Sequence, residues 1–230
     1  MPGFLLADVT VLPPKGLNTT VYLHLNNLAR HSAWAHGFMH AYALWLGMAL
    51  LVLGFAAAYA LAWWRRSSRA AGLLALGGVG TIAAFGCNQL VGHAARELRP
   101  YDTHPHALVL VSKANDYSFP SDHSVLAGAL ITSLLLVTGR ALWSHRGAAV
   151  AWLVAAEILL GLFLCFARLY VGAHYLGDVV AGLLLGAVVV GALSLLRPVL
   201  YKVIGVLEPT VLGTLVRRPP AMAPDRPPSS

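Results

Sequence analysis

Five long stretches of the chain carry almost no charge, and they limit the possible folds more than any other feature. They cover residues 41–64, 70–95, 124–139, 147–167 and 179–196, and Glu157 is the only Asp, Glu, Lys or Arg within them. A helix needs about 20 apolar residues to cross the hydrocarbon of a bilayer. The two shortest runs extend back to helix starts near Pro120 and His174. We therefore predict an all-α, polytopic membrane bundle of about five transmembrane helices.

The composition excludes several other classes of protein. Hydrophobic residues make up 58% of the 230 residues and charged residues only 11%, whereas an ordinary soluble domain has about 25% charged residues. A secreted disulfide module and a disordered chain are therefore excluded. The net charge of +7 does not indicate a nucleic-acid binder, because the basic residues lie in short clusters between apolar runs. Cys87 and Cys165 fall inside such runs and are expected to be buried thiols.

The chain divides into three predicted segments. In the N-terminal segment, residues 1–40, apolar side chains keep helical spacing over residues 21–40 among polar ones, which is typical of a helix lying in the membrane interface. Residues 41–205 form the membrane domain. Residues 206–230 are a Pro-rich cytoplasmic tail that we expect to be disordered. No basic stretch followed by a short apolar run opens the chain, so no cleavable signal peptide is expected.

Basic residues set the predicted orientation. Ten of the 16 Lys and Arg residues lie between the first two helices, between the third and fourth, or after the fifth. These segments share one side of the membrane, which the excess of positive charge places in the cytoplasm. We therefore expect the N-terminus, residues 96–121 and residues 168–174 on the external side, and the C-terminus inside the cell.

Ionisable side chains gather at the external ends of four predicted helices. In chain order they are Arg96, Glu97, Arg99, Asp122, His123, Arg168, His174 and Asp178. Charge brought to one membrane boundary by several helices indicates a functional site.

The residue types at this boundary fit a phosphate. His174 and Asp178 are four residues apart, so on one helix face the carboxylate could accept an imidazole N–H and leave the other ring nitrogen free as nucleophile or base. Ser121 and Asp122 follow Pro120 as at a helix start, where free backbone amides bind anions. The guanidinium groups of Arg99 and Arg168 can clamp phosphate oxygens. No strong metal motif is present; His104 and His106 beside Asp102 are a weak alternative, and no metal or other cofactor is expected.

Three motifs resemble those of the type 2 phosphatidic acid phosphatase superfamily of membrane lipid phosphatases. Arg99-Pro100 resembles the end of its first motif and Pro120-Ser121-Asp122-His123 its second, while Arg168, His174 and Asp178 keep the spacing of its third. Two positions depart from the family pattern: Gly92 stands where the first motif often has Lys, and Asp122 where the second usually has Gly. These departures, with Glu97 to Tyr101 and Ser118 to His123, resemble the bacterial undecaprenyl-diphosphatase branch of the bacitracin-resistance type.

The resemblance implies a role for each matched residue. His174 would attack phosphorus and form a phosphohistidine, Asp178 would orient it, and His123 would protonate the leaving oxygen and then activate water. Arg99, Arg168, Ser121 and the backbone near Asp122 would hold the phosphate. Arg96, Glu97 and Lys113 are candidate accessory residues, and Arg96, His93 or Lys113 could supply the contact missing at Gly92.

The expected substrate is a membrane lipid phosphate, most simply undecaprenyl diphosphate, hydrolysed at the external face without an obligate protein partner. Three alternatives stay open: a phosphatase of phosphatidic acid or phosphatidylglycerol phosphate, a lipid transporter without hydrolysis, and a vanadate-dependent oxidase. Glu157 lies too deep for this site, and the simplest interpretation of it is protonation or pairing with an amide of Asn88 or Gln89.

Overall fold

The computed structural model describes residues 16–138 and 148–215, with side chains omitted at 148–150, 211 and 212. All regular secondary structure in these ranges is helical, which confirms the predicted fold class. The α-helices are α1 (Leu17–His31), α2 (His36–Ala41), α3 (Gly47–Trp64), α4 (Ser68–Ala95), α5 (Pro100–Thr103), α6 (Asp122–Thr138), α7 (Ala148–Tyr170), α8 (Leu176–Leu193) and α9 (Arg197–Leu207).

Four stretches of the described chain are helical, long and apolar enough to cross a membrane: Ala33–Trp64, Ser68–Thr103, Ala151–Tyr170 and Leu176–Leu207. The remaining predicted span, α6, is an apolar helix of 17 residues. It lies in the middle of the bundle, where it packs against α3, α4, α7 and α8. Most of its side chains are therefore buried by protein rather than lipid.

Glycines let α6 and α8 approach at backbone distance. A Cβ at Gly186 would lie 2.2 Å from the Val125 carbonyl oxygen, and one at Gly128 would lie 2.1 Å from that of Leu183. Gly182 and Gly186 are the GxxxG pair visible in the sequence, and such pairs mark close helix packing in membranes. This contact holds the N-terminal ends of the two helices together, next to residues 121–123 and 174–178.

The N-terminal helix differs from its predicted extent. Helix α1 ends at His31, and residues 33–41 continue into the first membrane span instead of the interfacial helix. Helix α1 contacts the loop between α5 and α6 through Asn26. The Asn26 side chain donates to the Leu108 carbonyl (2.7 Å) and accepts from the Leu108 amide (3.1 Å). The predicted disorder of the tail concerns mainly residues outside the described ranges. After the fifth span the structure adds α9, an amphipathic helix packed on α4 that the sequence analysis did not predict.

We predict that Gly186→Ala separates α6 from α8 and lowers the thermal unfolding temperature of the detergent-solubilised protein. The physical reason is overpacking against backbone, which costs about 1–3 kcal/mol. Gly191→Ala in the same helix is the matched control, because nothing lies within 4 Å of its Cβ position. Equal unfolding temperatures for the two variants would contradict the close packing.

Candidate active site

Two arginines and one histidine from three separate segments meet at one end of the bundle. Arg99 Nη1 lies 3.3 Å and Arg168 Nη2 lies 3.1 Å from Nε2 of His174. All three residues are buried, with at most 6% of the residue surface exposed. The structure thus brings Arg99 of the first sequence motif together with Arg168 and His174 of the third.

The tautomer of His174 follows from its hydrogen bonds. Nδ1 lies 2.9 Å from the backbone carbonyl oxygen of Ser118. Because a carbonyl oxygen can only accept, Nδ1 carries the hydrogen. Nε2 therefore holds the lone pair, and it faces the two guanidinium groups. This nitrogen is placed to act as a nucleophile toward a group that the arginines hold.

Asp178 supports this arrangement by a different route from the predicted one. His174 precedes α8, which begins at Leu176, so the two residues do not share a helix face and that argument was wrong. The Asp178 carboxylate accepts the Tyr175 amide (2.8 Å) and the Ser118 hydroxyl (2.5 Å), and its Oδ2 lies 3.4 Å from Nδ1 of His174. Asp178 thus fixes the loop that carries His174 and the Ser118 segment that orients its ring.

Each arginine is held by acceptors on its far side. Arg99 donates from Nε to Asp116 (2.7 Å) and from Nη1 to the Ala173 carbonyl (3.1 Å). Arg168 donates from Nη1 to the Ala43 carbonyl (3.3 Å), while its Nε is buried without a partner. Asp116 and Ser118 were missed by the sequence analysis. Their position just before Pro120 could have indicated them. The sequence analysis searched for charged residues at helix ends, and neither of the two is one.

The start of α6 borders the same centre. Ser121 is fully buried, and its hydroxyl oxygen has no hydrogen-bond partner. The imidazole of His123 lies close to the Leu44 backbone and within electrostatic range of Arg168, His174 and Arg99. The first amides of a helix have no acceptor within it. The start of α6 is joined to the site by the Ser121 amide, which donates to the Asp178 carbonyl (3.0 Å).

Asp122 points to one side of this centre. Its Oδ1 accepts the side-chain amides of Asn88 (2.5 Å) and Gln89 (3.4 Å) on α4. These amides are therefore not partners of Glu157, so the predicted pairing was wrong, whereas protonation of Glu157 stays a prediction. The Glu157 carboxylate lies instead where a side chain at Gly54 of α3 would be, and its Oε2 is buried without a hydrogen bond.

The three accessory candidates do not contact His174. Arg96 is exposed and donates to the His93 carbonyl, and Lys113 lies over the ring of Tyr101 at 5.6 Å. Glu97 has a buried oxygen without a partner. Gly92, which stands where the first motif often has Lys, is closely packed. A Cβ at this position would lie 3.2 Å from the Phe119 carbonyl oxygen.

A cavity of about 820 Å³ adjoins the site. It shares Asp116 and Asp122 with the site's surroundings, and Lys113, His93 and Gln89 also line it. Its volume is in the range of small-molecule sites. Within the described ranges no three His, Cys, Asp or Glu residues are grouped as metal ligands, so the weak pair at His104 and His106 lacks a third ligand there.

Burial is the main influence on the protonation of His174. Loss of solvent, the largest cause, and the charges of Arg168 and Arg99 together lower its pKa to about 4, although the hydrogen bond and charge of Asp178 raise it. Since the ordinary value is about 6.5, the ring is protonated only in strong acid. At neutral pH the Nε2 lone pair is available.

Comparison with known proteins decides the family. Residues 73–202, more than half of the chain, match the PAP2 superfamily. The chain belongs to the PAP2 superfamily. The undecaprenyl-diphosphatase BcrC of Bacillus subtilis (strain 168) is 31% identical over 147 residues, which cover 62% of this chain and 68% of the relative. An undecaprenyl-diphosphatase of Sulfolobus acidocaldarius is 27% identical over 106 residues, 46% of each chain.

A third relative carries a different description. The protein named bacitracin transport permease protein BcrC of Bacillus licheniformis is 25% identical over 170 residues, 74% of this chain and 75% of that one. No solved structure matches the chain significantly. The family and these relatives identify the protein as a membrane lipid phosphatase, and the resemblance stated from three motifs is confirmed.

We predict that His174 is neutral at pH 6 with its hydrogen on Nδ1, because Ser118 accepts from that nitrogen and burial disfavours the charged ring. Long-range ¹H–¹⁵N correlation spectra of protein with ¹⁵N-labelled histidine, in detergent, would measure this, with His174→Gln assigning the signal. A titration midpoint near 6.5, or a hydrogen on Nε2, is the opposite outcome.

Proposed function

We propose that the protein hydrolyses a polyprenyl diphosphate, most simply undecaprenyl diphosphate, through a phosphohistidine on His174. The observation that carries the proposal is the convergence of Arg99 and Arg168 on the unprotonated nitrogen of His174. Similarity to two proteins named undecaprenyl-diphosphatase supports the choice of substrate.

In the first step Nε2 of His174 attacks the terminal phosphorus. A P–N bond forms and the bridging P–O bond breaks, while His123 gives its proton to the leaving oxygen to yield the lipid monophosphate. Arg99 and Arg168 exchange their hydrogen bonds to Nε2 for bonds to the terminal oxygens. The free Ser121 hydroxyl and the first amides of α6 are the further donors. Phosphoryl transfer is catalysed largely by such positioning and charge stabilisation.

In the second step His123 removes a proton from a water molecule, which attacks the phosphohistidine. The P–N bond breaks, its electron pair returns to Nε2 of His174, and inorganic phosphate leaves, so His174 is again neutral with its hydrogen on Nδ1. Asp178 acts throughout as a positioning residue by holding the Ser118 and Tyr175 backbone. Two-step transfer through a side-chain nucleophile is a general route for hydrolases.

The site serves a lipid because it lies where four helices end. A diphosphate can reach such a site while its hydrocarbon chain stays in the bilayer. The distribution of Lys and Arg supports an external site and a cytoplasmic C-terminus.

Two other functions are distinguishable. A glycerolipid phosphatase would use the same residues on phosphatidic acid or phosphatidylglycerol phosphate. A transporter is the alternative from another class, favoured by the name of the Bacillus licheniformis relative. Transport sites in secondary transporters usually lie near the membrane midplane, whereas these charges gather at one end of the bundle.

We expect purified protein to release phosphate from undecaprenyl diphosphate faster than from phosphatidic acid or phosphatidylglycerol phosphate at equal mole fraction in the same detergent. His174→Gln should reduce the rate at least about a thousandfold, as loss of a nucleophile does. His24→Gln is the matched control, because its exposed ring contacts only the Thr20 carbonyl within α1. Unchanged hydrolysis by His174→Gln would exclude the proposed nucleophile, and a faster glycerolipid reaction would reassign the substrate.

We expect a thiol at position 113 to react from outside intact cells and one at position 202 not to react. The proposed orientation places these exposed lysines at opposite faces of the membrane. The measurement uses Lys113→Cys and Lys202→Cys in a chain whose two native cysteines are replaced, with a membrane-impermeant maleimide. The reverse labelling pattern would invert the topology without affecting the chemistry.

A further inference from the structure

The first membrane span contains a π-helical turn, Tyr42–Leu46, between α2 and α3. It lies outside residues 73–202, which match the family, and no sequence motif pointed to it. A π turn holds one more residue than an α turn, so the regular series of backbone hydrogen bonds is interrupted there. Such turns are frequent at functional sites.

The carbonyl side of this turn faces the phosphate site. The Ala43 carbonyl accepts a hydrogen bond from Nη1 of Arg168 (3.3 Å). The backbone of the next residue, Leu44, lies beside the imidazole of His123. Two successive residues of one turn thus lie against an arginine that would hold the phosphate and the histidine that would transfer the proton.

Tyr42 joins the turn to the helix that carries Arg168. Its hydroxyl donates to the Leu160 carbonyl on α7 (3.0 Å), eight residues before Arg168. Its ring, only 3% exposed, packs edge-on against Phe163 of the same helix at 4.7 Å. Gly47 closes the turn, since a Cβ there would lie 2.9 Å from the Tyr42 carbonyl and 2.7 Å from Leu164. Tyr42 precedes the Ala43 and Leu44 carbonyls and Gly47 follows them, so the turn packs against α7 on both sides of these carbonyls.

We infer that the π turn is a positioning element of the active site and that Tyr42 is its positioning residue. The turn supplies backbone acceptors that orient Arg168 and His123. The hydrogen bond from the Tyr42 hydroxyl to the Leu160 carbonyl fixes the position of these acceptors along α7. The inference rests on the proposed function, because it assigns a role to the surroundings of the proposed phosphate and proton-transfer groups.

The test compares Tyr42→Phe with Tyr59→Phe. Both tyrosines lie in the first span and donate their hydroxyls to backbone carbonyls, but Tyr59 bonds Leu215 at the far end. We expect Tyr42→Phe to lower kcat about 3- to 30-fold with little change in KM or in unfolding temperature, and Tyr59→Phe to retain kcat. Wild-type kcat in Tyr42→Phe, or a loss of kcat that follows the unfolding temperature, would overturn the inference.

A double-mutant cycle separates positioning from a general loss of stability. In an Arg168→Lys background, whose residual rate is the reference, Tyr42→Phe should cost markedly less than in the wild type, because the two residues act through one contact. Equal costs in both backgrounds would show that Tyr42 does not act through Arg168.

A second pair approaches the turn from its other side and covers the case in which Tyr42→Phe does not fold. Gly47→Ala presses on the Tyr42 carbonyl, whereas Gly37→Ala, in the same span, meets nothing within 4 Å. Only the first should lower kcat. Equal kcat values in the two would contradict the inference.

All assays use both undecaprenyl diphosphate and phosphatidic acid. A wrong substrate assignment would change the preferred lipid of every variant alike. It is therefore distinguishable from a wrong role for the turn.

Discussion

Two buried guanidinium groups share one uncharged nitrogen, and the rest of the site depends on this arrangement. Arg99 and Arg168 repel each other, and among the described residues the one carboxylate in salt-bridge contact with either is Asp116, which is half exposed. Burying charge without full compensation is unfavourable. The neutral His174 ring accepts from both arginines, but it supplies no negative charge. In the proposed mechanism the phosphate of the substrate supplies that charge, so the same imbalance that weakens the empty site would strengthen the bound state.

Helix ends are suited to building such a site in a membrane. Each arginine and histidine sits next to a helix terminus, where the backbone leaves the hydrogen-bonded ladder and can accept or donate. The Ser118, Ala173 and Ala43 carbonyls, all bonded to site residues, lie in such irregular segments. The glycine contact of α6 with α8 keeps two of these ends together. The irregular backbone of these segments is thus used by side chains of the site.

Local patterns in the sequence were sufficient for the membrane-spanning helices and for selecting Arg99, Arg168 and His174, which the structure brings together. Uncharged runs predicted the spans because the bilayer requires them, and the spacing of Arg168, His174 and Asp178 selected the site. The sequence could not supply contacts that depend on backbone atoms. Ser118 orients His174 mainly through its carbonyl, and the Ala43 carbonyl has no side-chain signature. The argument from i, i+4 spacing failed for His174 because the helix begins two residues later. Glu157 lies against Gly54 instead of pairing with an amide, and this contact depends on how α3 packs on α7, which the sequence does not show.

The burial of α6 has a consequence for how a lipid meets the protein. Most of the described side chains of this helix are buried, and it packs against α3, α4, α7 and α8. The hydrocarbon of the bilayer therefore meets mainly the surrounding helices, whereas Arg99, Arg168 and His174 belong to the protein interior. Substitutions on the outer wall can change the fit to lipid tails while these buried side chains keep their geometry, so the two surfaces can vary independently in sequence.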